Sequence, residues 1–321
     1  MRFVTADEID TVLTFPLLVE TLREAFRVGA VQPTRHHHTL TRPTGTPSTL
    51  LLMPAWSDFS HDGDGFVGVK VVTVSPDNNV AGKPAVMGSY MLLQGVTCEP
   101  LAIMDGQRLT QWRTAAASAL ASSYLSRPDS RRLLIVGAGA LAPFLARAHA
   151  AVRPVDEVRV WNRTEGNARK VVEELAAAGM DASLAEDLDA AVGWADIVSA
   201  ATISTVPLVR GAALRPGTHV DLVGAFSPAM RESDDAAVAK ARVYVDTRDG
   251  ALKEAGDIVQ AIAEGALKPS GICGDLYDLA RGNAAGRASP DEITLFKSVG
   301  AAIEDLAAGI AAWKALGRME G

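Results

Sequence analysis

The sequence predicts an α/β chain: a doubly wound parallel sheet in one domain, and an α+β domain formed by both chain ends. Three observations predict it. An apolar run, Leu133–Val136, enters Gly137-Ala138-Gly139-Ala140-Leu141-Ala142 and then an Ala-rich segment, the strand–turn–helix context of a dinucleotide fingerprint. After it, strand-length apolar runs alternate with helical ones, the mark of a parallel sheet. Before it, from Pro33 to Val96, the apolar period is two, as in half-buried antiparallel strands.

The elements follow in order. Thr5-Ala6-Asp7-Glu8 is a capping-box pattern opening a short helix. Thr14 opens a second, with Leu18, Leu22, Ala25 and Phe26 on one face and Gly29 at its end. Strands are predicted at 35–40, 48–53, 66–74, 85–94 and 101–105, punctuated by Pro and Gly. Thr110 reads as the cap of a long Ala- and Ser-rich helix over 111–125 that bridges the two domains. Beyond the fingerprint come a strand at 157–161, helices at 166–178 and 188–193, strands at 197–200, 219–223 and 243–245, and a helix at 250–254. The stretch from Pro290 to Leu316 reads as one long amphipathic helix returning to the first domain. The predicted division is 1–118 with 290–321 as one domain, which the resemblance given below implies is the substrate and dimerisation domain, and 119–289 as dinucleotide-binding domain.

Composition narrows the function. With 321 residues and 48% hydrophobic content, two cores can be buried. The net charge of −7 argues against a nucleic-acid partner. Cys98 and Cys273 show no metal-ligand spacing and read as reduced thiols of a cytoplasmic protein. The first ten residues carry three acids and no apolar core, so no signal peptide is expected. The most apolar stretch, Leu133 to Ala146, is too short for a membrane span.

Within the fingerprint, Gly137 allows the tight turn and Gly139 lets backbone approach a pyrophosphate, which a helix N-terminus then receives. The second strand ends in Trp161-Asn162-Arg163-Thr164. No carboxylate stands there to repel a 2′-phosphate, and Arg163 is a donor suited to one, with Asn162 and Thr164 adding neutral bonds. NADP(H) is favoured and NAD(H) remains open. Lys70 lies in an apolar strand, where a charge is costly without a partner. It is either an edge lysine pointing to solvent or a cation that holds a substrate carboxylate. Arg113 and Arg35 are candidate second and third cations, or ordinary surface arginines. His36-His37-His38 can place at most two imidazoles on one strand face, with no matching acid or thiol, so no metal site is assigned. Asp221, in a strand expected to be buried, is either a carboxyl of raised pKa serving as proton carrier or one satisfied by loop N–H groups.

These pieces together resemble one known family over nearly the whole length. Met53-Pro54-Ala55, Lys70, Met104-Asp105-Gly106, Arg113-Thr114-Ala115-Ala116, the glycine turn and Trp161-Asn162-Arg163-Thr164 carry the likeness. So do Gly224-Ala225, Arg231-Glu232, Glu254-Ala255-Gly256-Asp257 and Phe296-Lys297-Ser298-Val299-Gly300. The chain resembles the ornithine cyclodeaminase/mu-crystallin family. The resemblance implies a homodimer built through the antiparallel domain, a Rossmann domain, and hydride transfer between a nicotinamide and the α-carbon of an amino or imino acid. It implies that Arg35, Lys70 and Arg113 clamp the substrate carboxylate. It also implies that Thr114 and the glycine loop, Ala140 and Leu141 included, contact the cofactor, with Thr202 and the Lys297–Gly300 segment, Val299 included, near the nicotinamide.

Cyclodeaminases of the family carry Gly-x-Asp-x-Pro-Gly-Lys, whose aspartate activates the side-chain amine. Here Phe226 stands in place of that aspartate, on the substrate side, and Met230 in place of the lysine. The pattern is closer to ketimine and pyrroline-2-carboxylate reductases. The activity implied is NAD(P)H-dependent reduction of a cyclic imino acid, with Asp221 or a water as proton donor. The alternatives are ornithine cyclodeaminase, an alanine dehydrogenase-like enzyme, and a mu-crystallin-like NADPH-binding protein without turnover.

Overall fold

The computed structural model describes residues 1–59 and 65–319. The chain opens with β1 (Arg2–Val4), α1 (Ala6–Val12) and α2 (Phe15–Val28). Both helix starts are capped as their sequences require. Thr5 and Glu8 exchange capping-box bonds, the Thr14 side chain accepts from Leu17 N, and Gly29 closes α2 at φ +97°. There follow β2 (His36–Leu40), β3 (Ser48–Trp56), β4 (Phe66–Val74), β5 (Val86–Gln94), β6 (Pro100–Asp105) and α3 (Gly106–Leu125). Thr110 is therefore inside α3 and does not cap it. The helix begins directly at the end of β6, where the Asp105 carboxylate accepts from Arg108 N at 2.8 Å.

The alternating part comprises β7 (Arg132–Val136), α4 (Ala142–Val152), β8 (Glu157–Trp161), α5 (Glu165–Ala177), β9 (Ala182–Leu184) and α6 (Leu188–Trp194). It continues with β10 (Ile197–Ala200), β11 (His219–Leu222), α7 (Asp235–Lys240), β12 (Ala241–Val245), α8 (Arg248–Glu254) and α9 (Gly256–Ala263). The chain ends with β13 (Ile272–Asp275), α10 (Leu276–Arg281), β14 (Ile293–Lys297) and α11 (Ala302–Met319).

Two compact units result: Met1–Arg113 with Ala302–Gly321, and Thr114–Ala301. The first holds a six-stranded sheet in the order β1-β6-β5-β4-β3-β2, antiparallel except for the β1–β6 pair. α11 and α2 pack together, and α11 lies across β3, β4 and β5. The second unit holds eight parallel strands in the order β13-β12-β14-β11-β10-β7-β8-β9. Its core is a contiguous aliphatic cluster running from Leu134 and Val136 through Val198, Val220 and Val243 to Leu295.

The single long helix expected from 290 to 316 is two elements. Ile293–Lys297 is a strand between β11 and β12, and Gly300 at φ +80° breaks the chain before α11 begins. The physical reason is local: an Ile-Thr-Leu-Phe run is β-prone, and burial on both faces of a parallel sheet hides its period. Residues 290–301 accordingly lie with the parallel sheet, not with the first domain.

Candidate active site

In the first unit, the pleat sets Met53, Lys70, Tyr90 and Met104 side by side across β3, β4, β5 and β6. All four side chains face inward, and Lys70 is 2% exposed. This excludes the solvent-facing edge lysine. Its Nζ donates to Asp305 Oδ1 at 2.8 Å. Arg113, 5% exposed, donates from Nε to the same oxygen at 3.0 Å and from Nη1 to Glu304 Oε2 at 2.6 Å. Glu304 and Asp305 occupy the first turn of α11 and are fully buried.

Two cations are thus fixed on one carboxylate oxygen, in a cluster whose four charges cancel. Burial pushes the Lys70 ammonium down to about 8; Arg113 and Arg35 repel it further, while Asp305 opposes them. Arg35 thus lies near enough for its charge to act on Lys70. Tyr90 fills the space left by Gly68 and Gly309: a Cβ on either would lie 1.8 Å or 2.5 Å from its ring or hydroxyl. Burial and the Asp305 charge raise its phenol well above the usual range, so it stays neutral.

In the second unit, the chain runs outward from β7 to β8 and β9 and returns on the other side as β10. The carboxyl ends of β7 and β10 therefore form a topological switch point, where open α/β sheets bind ligands. Gly137 sits there at φ +105°, and a Cβ on it would meet Ala201 O at 2.8 Å and Thr202 Cγ2 at 3.0 Å. Around Gly139 a Cβ would find nothing within 4 Å, so the protein itself does not fill that space. No side chain caps the start of α4; there Ala142 N donates to the Gly139 carbonyl at 3.0 Å and Pro143 has no N–H, so the helix offers a phosphate chiefly the positive end of its dipole. Asn162 Oδ1 accepts from Ala138 N at 3.3 Å and its Nδ2 donates to the Thr164 carbonyl at 2.9 Å. Arg163 is exposed, and no bond within the described residues ties its guanidinium down. Thr114 is buried near the head of this unit. These residues fit a dinucleotide.

Further along the same edge, Thr202 N and Oγ1 both donate to Glu232 Oε1, at 2.6 Å and 2.9 Å. Val299 N and Gly300 N both donate to Asp246 Oδ2 at 2.7 Å, which fixes the turn after β14. Ala225 is held at φ +47°, a strained value for a residue with a Cβ. Phe226 beside it packs its ring on the aliphatic core of this unit.

Asp221 does not match the raised carboxyl expected of a proton carrier. It is fully buried on β11. Its Oδ2 accepts from Ser199 Oγ at 2.6 Å and meets His149 Nε2 of α4 at 3.1 Å. Burial pushes its pKa up, but the His149 bond and charge and the Ser199 hydroxyl outweigh this and hold it below the usual range. It joins α4 to the sheet. His36 and His38 share a strand face, with ring centroids 6.3 Å apart.

Sequence reasoning missed Tyr90, Glu304, Asp305 and Asp246. The acids at 304 and 305 carried a signal, two carboxylates in an Ala-rich apolar helix. With the helix start set at 290, they fell mid-helix and were not singled out.

The family model described as the ornithine cyclodeaminase/mu-crystallin family matches residues 2–314. The chain belongs to this family. A Delta(1)-pyrroline-2-carboxylate reductase of Paracoccus denitrificans is 43% identical over 288 residues, 86% of this chain and 89% of the relative. Among solved structures, the Thermococcus litoralis Delta(1)-pyrroline-2-carboxylate reductase in complex with NADH and L-proline superposes with a TM-score of 0.93. It is 32% identical and the match covers 100% of this chain and 98% of that one. An archaeal alanine dehydrogenase, a dimer with bound NAD, follows at a TM-score of 0.89 and 28% identity, covering 100% and 97%. This family member carries a parallel-sheet unit and a largely antiparallel one.

Proposed function

We propose that this ornithine cyclodeaminase/mu-crystallin family member is an NAD(P)H-dependent reductase of a cyclic imino acid. The observation that carries the reading is the shared Asp305 oxygen, which fixes Lys70 and Arg113 as a pair of buried cations. Such a pair matches the two oxygens of a carboxylate. When bound, the dinucleotide supplies a hydride to the imine carbon. The chain's own work is to hold and orient. Lys70 and Arg113, with Arg35, receive the carboxylate. The glycine turn, Ala140, Leu141 and the N-terminal end of α4 receive the pyrophosphate. Asn162, Arg163 and Thr164 receive the adenosine ribose, and Arg163 favours NADP(H). The rate gain comes mainly from orientation.

Phe226 and Met230 favour a reductase over a cyclodeaminase. An aromatic ring packed on the core neither accepts a proton from an amine nor holds an ammonium. We further propose a homodimer. Phe3, Met91 and Val71 lie 70%, 37% and 41% exposed on the outer face of the six-stranded sheet, opposite to α11, an apolar surface of the kind that partners cover. The exposed free thiols Cys98 and Cys273 favour the cytoplasm. No helix among the described residues is long and apolar enough to cross a membrane.

The test is an NADPH-oxidation screen over cyclic imines, with Delta(1)-pyrroline-2-carboxylate among them, as in the name of a relative. Turnover is expected with a ring-closed imino acid. Release of ammonia and proline from L-ornithine with NAD+ would instead establish a cyclodeaminase, and tight NADPH binding without turnover a carrier.

A further inference from the structure

Three side chains beneath the carboxyl ends of β10, β11 and β14 have no part in the reaction above. Glu232, Asp257 and Lys297 are each fully buried. Lys297 Nζ lies 3.3 Å from Asp257 Oδ2 and 3.8 Å from Glu232 Oε2, and it also donates to the Gly224 carbonyl. One ammonium therefore faces two carboxylates away from water. An uncompensated charge is very costly there, so the group retains one further proton.

Geometry says where it sits. Asp257 Oδ1 accepts three hydrogen bonds, from Glu232 N at 2.9 Å, Ser233 N at 2.8 Å and Ser233 Oγ at 3.0 Å, and so keeps the negative charge. Glu232 accepts only the two Thr202 bonds, both on Oε1, and its Oε2 stands farther from the Lys297 ammonium than Asp257 Oδ2 does, so Glu232 takes the proton; neither Glu232 Oε2 nor Asp257 Oδ2 has a hydrogen-bond partner among the described residues. Consistent with this, burial pushes the Glu232 carboxyl up to about 8; Asp257 adds to the rise, while Lys297 and the Thr202 bonds oppose it. The charged groups facing Glu232 are Lys297 from β14 and Asp257 from α9. Nearby, Arg231 is turned to Asp235 and Glu264, and Asp246 is occupied by Val299 and Gly300.

The site's place in the sheet gives this proton a consequence. A doubly wound sheet binds the two halves of a dinucleotide on either side of its switch point. Asn162 and Thr164 follow β8 on one side. The second half then lies over β10, β11 and β14, the strands that lead into Thr202, Gly224 and Lys297. The nicotinamide ring is uncharged when reduced and cationic when oxidised.

We propose that Glu232 is a specificity-determining residue for the redox state of the dinucleotide: as the neutral acid it favours the reduced ring, and once ionised it favours the oxidised one. This rests on the dinucleotide reading given above. The linked step is proton exchange with solvent; an O–H bond of Glu232 breaks when the oxidised form binds, and no redox change occurs.

The experiment measures dissociation constants of the oxidised and reduced forms of NAD and of NADP between about pH 7 and about pH 9. The oxidised-to-reduced ratio cancels the titration of the 2′-phosphate. The ratio is expected to fall by about fivefold or more as pH rises, with net proton release on binding the oxidised form, because the linkage is reciprocal. Glu232→Gln retains an acceptor for Thr202 and is expected to abolish the pH dependence of the ratio. Calorimetry in two buffers of different ionisation heat reads the proton release on the unmodified protein, so the test does not depend on the variant folding. A ratio that stays constant with pH, or that changes equally in Glu232→Gln, overturns the proposal. If neither form binds at any pH, the dinucleotide reading itself fails and the proposal with it.

Discussion

At the scale of single residues, Lys70 is the most exposed to test. Removing it from beside Asp305 leaves a buried carboxylate short of a partner, at a cost of about 3 kcal/mol, readable as a lowered urea midpoint. Lys70→Ala is also predicted to lower kcat/KM for an imino acid by about 10- to 100-fold, the worth of a charged hydrogen bond. Dinucleotide affinity should be unchanged. Because its ammonium is held down at about 8, its charge is lost as pH rises through that value. KM for a carboxylate substrate should therefore climb above pH 8 in initial-rate measurements.

Arg163→Ala should weaken NADPH far more than NADH in a fluorescence titration; equal losses would remove Arg163 from the 2′-phosphate. Glu232 bears on stability with a definite sign. Its folded value of about 8 exceeds the ordinary 4.5. Its protonated form therefore contributes stability at low pH that is lost as pH rises from about 4.5 through about 8. Glu232→Gln should flatten that part of the melting temperature–pH curve.

At the scale of elements, what the sequence made legible follows from where the signals are local. Thr5, Thr14 and Gly29 act within one turn of their own residues, and the helices they bound form as predicted. The strand ending at Trp161 and the turn at Gly137 were readable for the same reason. β1, β9 and β13 are three or four residues long, too short for a period to show. β14 was hidden because both its faces are buried. Asp221 was misread because its partner His149 lies 72 residues away, and no local pattern announces such a bond. Lys70 and Arg113 were visible as oddities, whereas the carboxylates that fix them were not, since their meaning depends on where α11 begins. Gly137→Ala is predicted to abolish dinucleotide binding and destabilise the fold. The added methyl meets the Ala201 carbonyl at 2.8 Å, in a backbone region that alanine disfavours.

At the scale of the whole molecule, the apolar outer face of the six-stranded sheet is the surface on which the proposed dimer rests. A charge placed there, as in Met91→Glu, should shift sedimentation from dimer to monomer while leaving the helical circular dichroism intact. Sedimentation as a monomer before any mutation would remove the proposed dimer without touching the chemistry.

The central claim is that the chain directs a hydride to the α-carbon of an imino acid whose carboxylate Lys70 and Arg113 hold. It is tested most directly by supplying NADPH carrying deuterium at the transferable position together with Delta(1)-pyrroline-2-carboxylate, and reading the product by mass spectrometry and NMR. Proline with one deuterium at its α-carbon is the predicted result, formed about 10- to 100-fold more slowly by Lys70→Ala. Consumption of NADPH without deuterium in the amino acid, or formation of the deuterated proline by Lys70→Ala at an undiminished rate, would contradict it.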